Sequence, residues 1–132
     1  MKIPISPDKP LTLFVRIKGP VCTREFRALI DTGSDLCVIP VEDARDMGMQ
    51  NFYNPDCENN PAFIRLSNTC YFEAESLVME KVMVGDIEAE NVDFVALTLP
   101  RDGGIDVILG RSFLKNFKLT VDYEKGFMSI ER

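Results

Sequence analysis

The chain has no histidine, and its four cysteines, Cys22, Cys37, Cys57 and Cys70, stand far apart with no C-x-x-C pair among them. Each absence closes a class of chemistry. Without histidine neither a Ser-His-Asp nor a Cys-His arrangement can be assembled, and scattered cysteines with no histidine do not make a zinc site. Catalysis, if there is any, falls to carboxylates, hydroxyls or lysines, and neither a metal nor a cofactor is expected. No run approaches the ~20 apolar residues that cross a bilayer. The opening "MKIPISPDKPLTLF" scatters three prolines among charges where a secretory signal would carry an apolar core. These two absences point to a cytoplasmic protein with no membrane contact, its thiols left free. Positive charge is also in short supply: 15 Lys and Arg face 21 Asp and Glu, a net charge of −6, which argues against nucleic acid as a partner.

What is present is the composition of a folded globular protein, 45% hydrophobic and 27% charged over 132 residues. That length fits a single domain over residues 1–132 rather than two lobes. The patterning is mainly β. "LTLFVRIK" (11–18) alternates apolar with polar or basic residues, Gly19-Pro20 interrupts, and "VCTREFRALI" resumes, as the two arms of a hairpin do. "LCVIP" is a short strand stopped by Pro40, "VEDARDMGM" suits a short helix ending at Gly48, and "QNFYNPDCENNP" (50–61) reads as a loop. β patterning returns at residue 62, with a hairpin around Asn68-Thr69 and a further turn at Gly85-Asp86. The alternation in "CYFEAESLVMEKVMV" does not settle which face is buried. "IDVILG" is another strand, "RSFLKNF" a second short helix, and "KLTVDYEKGFMSIER" a closing hairpin with Gly126 where a positive φ is needed. Many short strands with one or two short helices predict a closed, barrel-like or sandwich β fold.

The chemistry concentrates at "ALIDTGSDLCVIP" (28–40), where Asp31 ends an apolar strand and is followed at once by Thr32, Gly33 and Ser34. A carboxylate drawn out of water is costly unless donors surround it. Gly33 lets a backbone N–H come close, and Thr32 and Ser34 bring hydroxyls. An Asx turn would explain the same residues with local bonds alone. A second segment weighs against that: "DVILGRSFL" (106–114) sets an apolar pair and Gly110 ahead of Arg111 and a short helix, about 80 residues downstream.

"LIDTGSD" and "VILGRSFL", in this order and each on an expected strand, together with "FKLTVDYEKGFMSI", resemble the retropepsin-like aspartic proteases over roughly residues 11–131. The resemblance implies an acid-protease (retropepsin) fold with Asp31 on a loop at the floor of a cleft. Its chemistry uses two carboxylates, one ionised and one protonated, sharing a single proton and titrating as a unit. Only one such motif is present, and half-length members of the family form symmetric homodimers, so Asp31 of each subunit would complete a dyad that hydrolyses a polypeptide substrate. By the same resemblance Thr32 would bond across the dyad, and Gly33 and Ser34 would hold the outer carboxylate oxygens. A Ser34 hydroxyl donating there would push activity toward acidic pH. Ile108, Leu109 and Gly110 form the apolar-apolar-Gly element, and Asp35 with Arg111 would form an ion pair near the dimer contact. Ser67, Asn68 and Thr69 fall at the flap tip, which lacks the glycine common in the family. The terminal strands "MKIPIS" and "FMSIER" could interleave between subunits in the manner of retroviral members, while other branches of the family arrange their termini differently. The same fold could also serve as a peptide-binding or assembly module with little turnover.

Overall fold

The first hairpin is the start of a closed barrel. The computed structural model describes residues 1–49, 64–65, 71–72, 75–98 and 102–132. After the short β1 (Lys2–Pro4), β2 (Thr12–Lys18) and β3 (Thr23–Ile30) pair antiparallel from Thr12↔Leu29 to Lys18↔Thr23. Alternation buries Leu13, Val15 and Ile17 and leaves Phe14, Arg16 and Lys18 outside, as the two-residue period of a strand requires. The strand β4 (Cys37–Pro40) is buried along its length and runs into α1 (Val41–Asp46), whose first turn carries Glu42 and Asp43 at the positive end of the helix dipole. Arg24 of β3 reaches Asp43 at 3.1 Å and pins this helix to the hairpin. Two short strands, β5 (Ile64–Arg65) and β6 (Tyr71–Phe72), pair with each other. The long β7 (Glu75–Val84) and β8 (Ile87–Leu97) are joined by a turn in which Gly85 takes φ +58°. The chain ends in β9 (Val107–Leu109), α2 (Arg111–Leu114), β10 (Lys118–Asp122) and β11 (Phe127–Glu131), with Gly126 at φ +72° in the last turn.

Six strands close the barrel in the order β2-β3-β9-β4-β8-β7. β9 lies parallel to β3 and antiparallel to β4. The "VIL" segment is therefore inserted between the strand that precedes Asp31 and the strand that follows it, which is why it must be apolar and extended. Phe94, Phe113, Ile17, Ile39, Met79 and Leu109 are fully buried inside. On the opposite face of the same strands a smaller apolar group gathers Val38 and Val95 with Leu36, Leu97 and Ile108.

The unclear faces of residues 77–84 have a physical cause. In β7 burial falls on Leu77 and Met79 and then on Val82 and Val84; in β8 it falls on Ala89 and then on Val92 and Phe94. Both strands change face between the pairs Met79↔Val92 and Lys81↔Glu90. There Asn91 takes φ +53°, a left-handed conformation that asparagine tolerates better than most residues. No single alternation can run through such a point.

The terminal strands pair within the chain. β11 lies between β10 and β1 of its own chain, with Lys2↔Ser129 on one side and Thr120↔Ser129 on the other. Both of its hydrogen-bonding edges are occupied within the chain, and among the described residues β1 and β10 form the outer edges of this sheet. Cys22 and Cys37 are free thiols. Cys57, Cys70, the loop at 50–61 and the flap-tip positions Ser67, Asn68 and Thr69 lie outside the described residues. Among the described residues no helix is long and apolar enough to cross a membrane.

Candidate active site

Asp31 is the first residue past β3, and its backbone is held before its side chain is considered. Its N–H donates to the Leu109 carbonyl at 3.0 Å, while the preceding Ile30 N–H donates to Leu11 at 2.9 Å. The chain then turns sharply, with the Ser34 N–H on the Asp31 carbonyl at 3.2 Å and the Gly33 N–H on Asp31 Oδ1 at 2.9 Å. A Cβ at Gly33 would stand 3.3 Å from that same oxygen. Glycine is thus what lets the amide close on the carboxylate. Asp31 is half-buried, and Thr32, Gly33 and Asp35 are exposed.

The loop rests on the start of α2. Arg111 and Ser112 donate their N–H groups to the carbonyls of Ser34 at 2.8 Å and Asp35 at 3.0 Å. Gly110 passes so close beneath that an added Cβ would overlap the Leu36 carbonyl oxygen and sit 2.7 Å from that of Ser34. The Ser112 hydroxyl, nearly buried, accepts the Cys37 N–H at 3.1 Å and donates to the Asp93 carbonyl at 2.7 Å. One side chain thereby ties β4, β8 and α2 together. The Gly110 N–H points at Cys37 Sγ at 3.4 Å. Burial raises the Cys37 thiol above its ordinary value, an effect opposed by its hydrogen bonds to Ser112 and the nearby backbone.

The structure brings Asp31, Thr32, Gly33, Ser34 and Asp35 together with Ile108, Leu109, Gly110 and Arg111. Arg111 Nη2 contacts Asp35 Oδ1 as an ion pair, although side-chain exposures of 58% and 80% leave it open to solvent screening. One detail differs from expectation. The Ser34 hydroxyl donates to the Leu36 carbonyl at 2.6 Å, so its single proton is spent inside the turn and does not hold an outer oxygen of Asp31. The expected shift of activity toward acidic pH loses its basis with it. Ser112 was missed by sequence reasoning; its only signal was a lone hydroxyl between Arg111 and the apolar pair Phe113-Leu114. Among the described residues no cluster of three or more His, Cys, Asp or Glu is placed to hold a metal ion.

Residues 14–113, which include both the Asp31 loop and the Gly110 element, match the sequence model of a family described as aspartyl protease. The chain belongs to this aspartyl protease family. No curated protein matches it. Among solved structures this chain is similar to a retropepsin-like aspartic protease from Rickettsia conorii, with a TM-score of 0.66 and 19% identity over 98% of this chain and 88% of that one. It is also similar to the EIAV protease complexed with the inhibitor HBY-793, with a TM-score of 0.61 and 16% identity over 86% and 93% of the two chains. The retroviral protease-like domain of Ddi1 from Leishmania major gives 0.59 and 14% over 92% and 88%. At these identities the likeness establishes the retropepsin-like fold of this chain.

Proposed function

We propose that this protein is an aspartic endopeptidase that works as a homodimer, with Asp31 of each subunit forming the catalytic pair. The observation that carries the reading is the Asp31 loop itself: a carboxylate whose backbone is anchored on β9 through Leu109, with one oxygen held by Gly33, next to exposed Thr32 and Gly33. A single carboxylate cannot be base and acid in the same step, and a second chain supplies the missing one through a two-fold axis. Two carboxyl groups brought together keep one proton between them. The ionised member takes a proton from water as the oxygen attacks the peptide carbonyl carbon, and the protonated member donates to the carbonyl oxygen. Collapse of the tetrahedral intermediate passes a proton to the leaving amine and breaks the C–N bond. On this reading Thr32, beside Asp31, bonds across the axis, and the Asp35–Arg111 pair on the same edge of the loop supports the contact between subunits.

The test is digestion of an unfolded protein by the wild type and by Asp31→Asn, with size in solution followed by light scattering. Asparagine keeps an oxygen for the Gly33 N–H, so the variant should fold with a stability change within about 0.5 kcal/mol and lose at least about a thousandfold in rate. Peptide binding without cleavage by the wild type would instead assign the fold to a binding or assembly role.

A further inference from the structure

The outward residues of β3 are Thr23, Glu25, Arg27 and then Leu29, and the strand leads directly to Asp31. Leu29 stands beside Ile108 in the pairing with β9, and Ile108 beside Val38 in the pairing with β4. An apolar strip thus runs over the sheet next to the carboxylate, and Arg27 marks its far end, about 13 Å from Asp31 at the rise of a strand. Arg27 lines a cavity of about 390 Å³ together with Ser6, Lys9, Thr12, Gly103 and Ile105.

Two cations, Lys9 and Arg27, line that cavity. Lys18, Arg24, Lys81 and Arg111 each face a carboxylate within ion-pair distance. Neither Lys9 nor Arg27 has such a partner among the described residues. The Arg27 guanidinium donates to Thr12 Oγ1 at 3.2 Å. The adjacent Asp106 accepts the Arg27 backbone N–H at 2.9 Å through Oδ2. Two cations without a side-chain ion pair among the described residues thus share one concave wall, with the Asp106 carboxylate and hydroxyls beside them and apolar surface between them and the catalytic loop.

We infer that this cavity is a subsite for a carboxylate side chain, Asp or Glu, of the polypeptide that lies across Asp31. The inference rests on the protease reading above and adds a specificity to it. An extended peptide advances about 3.3 Å per residue, so a side chain reaching Arg27 belongs to a residue three to five places from the bond that is cut. Arg27 can meet a carboxylate with two parallel N–H donors, and Lys9 adds a second charge. The net charge of −6 repels acidic peptides in general, so a preference for them has to arise locally.

The experiment uses a degenerate synthetic decapeptide library with blocked termini in two arms. In the first, wild type and Lys9→Gln/Arg27→Gln digest the library and the cleaved sequences are read by mass spectrometry. In the second, the library is passed over immobilised Asp31→Asn protein with and without the same two substitutions. Asp and Glu should be enriched about three- to tenfold three to five residues from the cut and in the retained peptides, the size expected of a solvent-accessible charge-assisted contact. The enrichment should vanish in the double variant, shrink with added salt, and turn toward Lys and Arg in Arg27→Glu. Cleavage with no acidic preference, or a preference unchanged in the double variant, overturns the subsite and leaves the protease reading standing. Acidic retention by Asp31→Asn with no cleavage by wild type upholds the subsite and overturns the protease reading. No retention and no cleavage of any peptide overturns both.

Discussion

The two sides of the loop at residues 31–37 are built from opposite materials. The upper side is polar and open: Thr32, Gly33 and Asp35 are exposed, and the Asp35–Arg111 pair stands in solvent. The lower side is closed and nearly free of slack, with Cys37 fully buried, Ser112 bonded to two strands, and Gly110 in backbone contact with the loop. The difference separates two tasks. Residues above present a carboxylate, and residues below decide where it stands. Substitutions below should therefore cost stability, and substitutions above should cost activity or assembly with little effect on the fold.

The largest effect is expected at Gly110. A methyl group there meets backbone oxygens of Leu36 and Ser34 rather than a movable side chain, so Gly110→Ala should lower unfolding free energy by about 3 kcal/mol or more in urea denaturation. Retention of wild-type stability would show that the loop is not seated on α2 as described. Next comes Ser112→Ala, which strips the Cys37 N–H and the Asp93 carbonyl of a shared partner in a buried place and should cost about 1–3 kcal/mol. Above the loop, Arg111→Ala should change thermal stability by under about 1 kcal/mol, because the pair is exposed, yet weaken self-association measured by sedimentation. A variant that alters neither melting temperature nor dimer affinity would remove the pair from the account.

The smallest effect is one of pH. Burial raises the Cys37 thiol in the folded state above its ordinary value. The folded protein resists forming the thiolate while the unfolded chain does not. The associated stability is complete below that value and is lost as pH rises through the folded one. Denaturation at about pH 8 and about pH 10 should show Cys37→Ala losing less stability over that interval than wild type. An identical loss in both would mean that the thiol is as easily ionised folded as unfolded.

Much of this arrangement was legible in the sequence because it rests on local rules. The turn glycines Gly48, Gly85 and Gly126, at φ of +92°, +58° and +72°, punctuate the elements where turn chemistry places them, and alternation in β2 identifies its buried face without help. Asp31 and Gly110 could be paired because both motifs have recognisable residue order. The parts that were not legible depend on contacts between distant segments. Nothing local reveals that β1 fills the free edge of β11, since strand order is a property of the sheet. The direction of the Ser34 hydroxyl depends on where the Leu36 carbonyl falls, and the role of Ser112 depends on β4 and β8 arriving from elsewhere in the chain. The face change at Asn91 is intermediate: asparagine permits it, but only the pairing of β7 with β8 shows that both strands shift together.

The central claim is that one catalytic centre needs Asp31 from two chains. Wild type and Asp31→Asn can be unfolded together in equal amounts, refolded, and assayed against the same amount of total protein. If subunits mix at random, only pairs with two aspartates are active, and the preparation should keep roughly a quarter of the wild-type rate, falling with the square of the wild-type fraction. A rate that falls in direct proportion to that fraction, leaving about half, would mean that each chain works alone and would contradict the account.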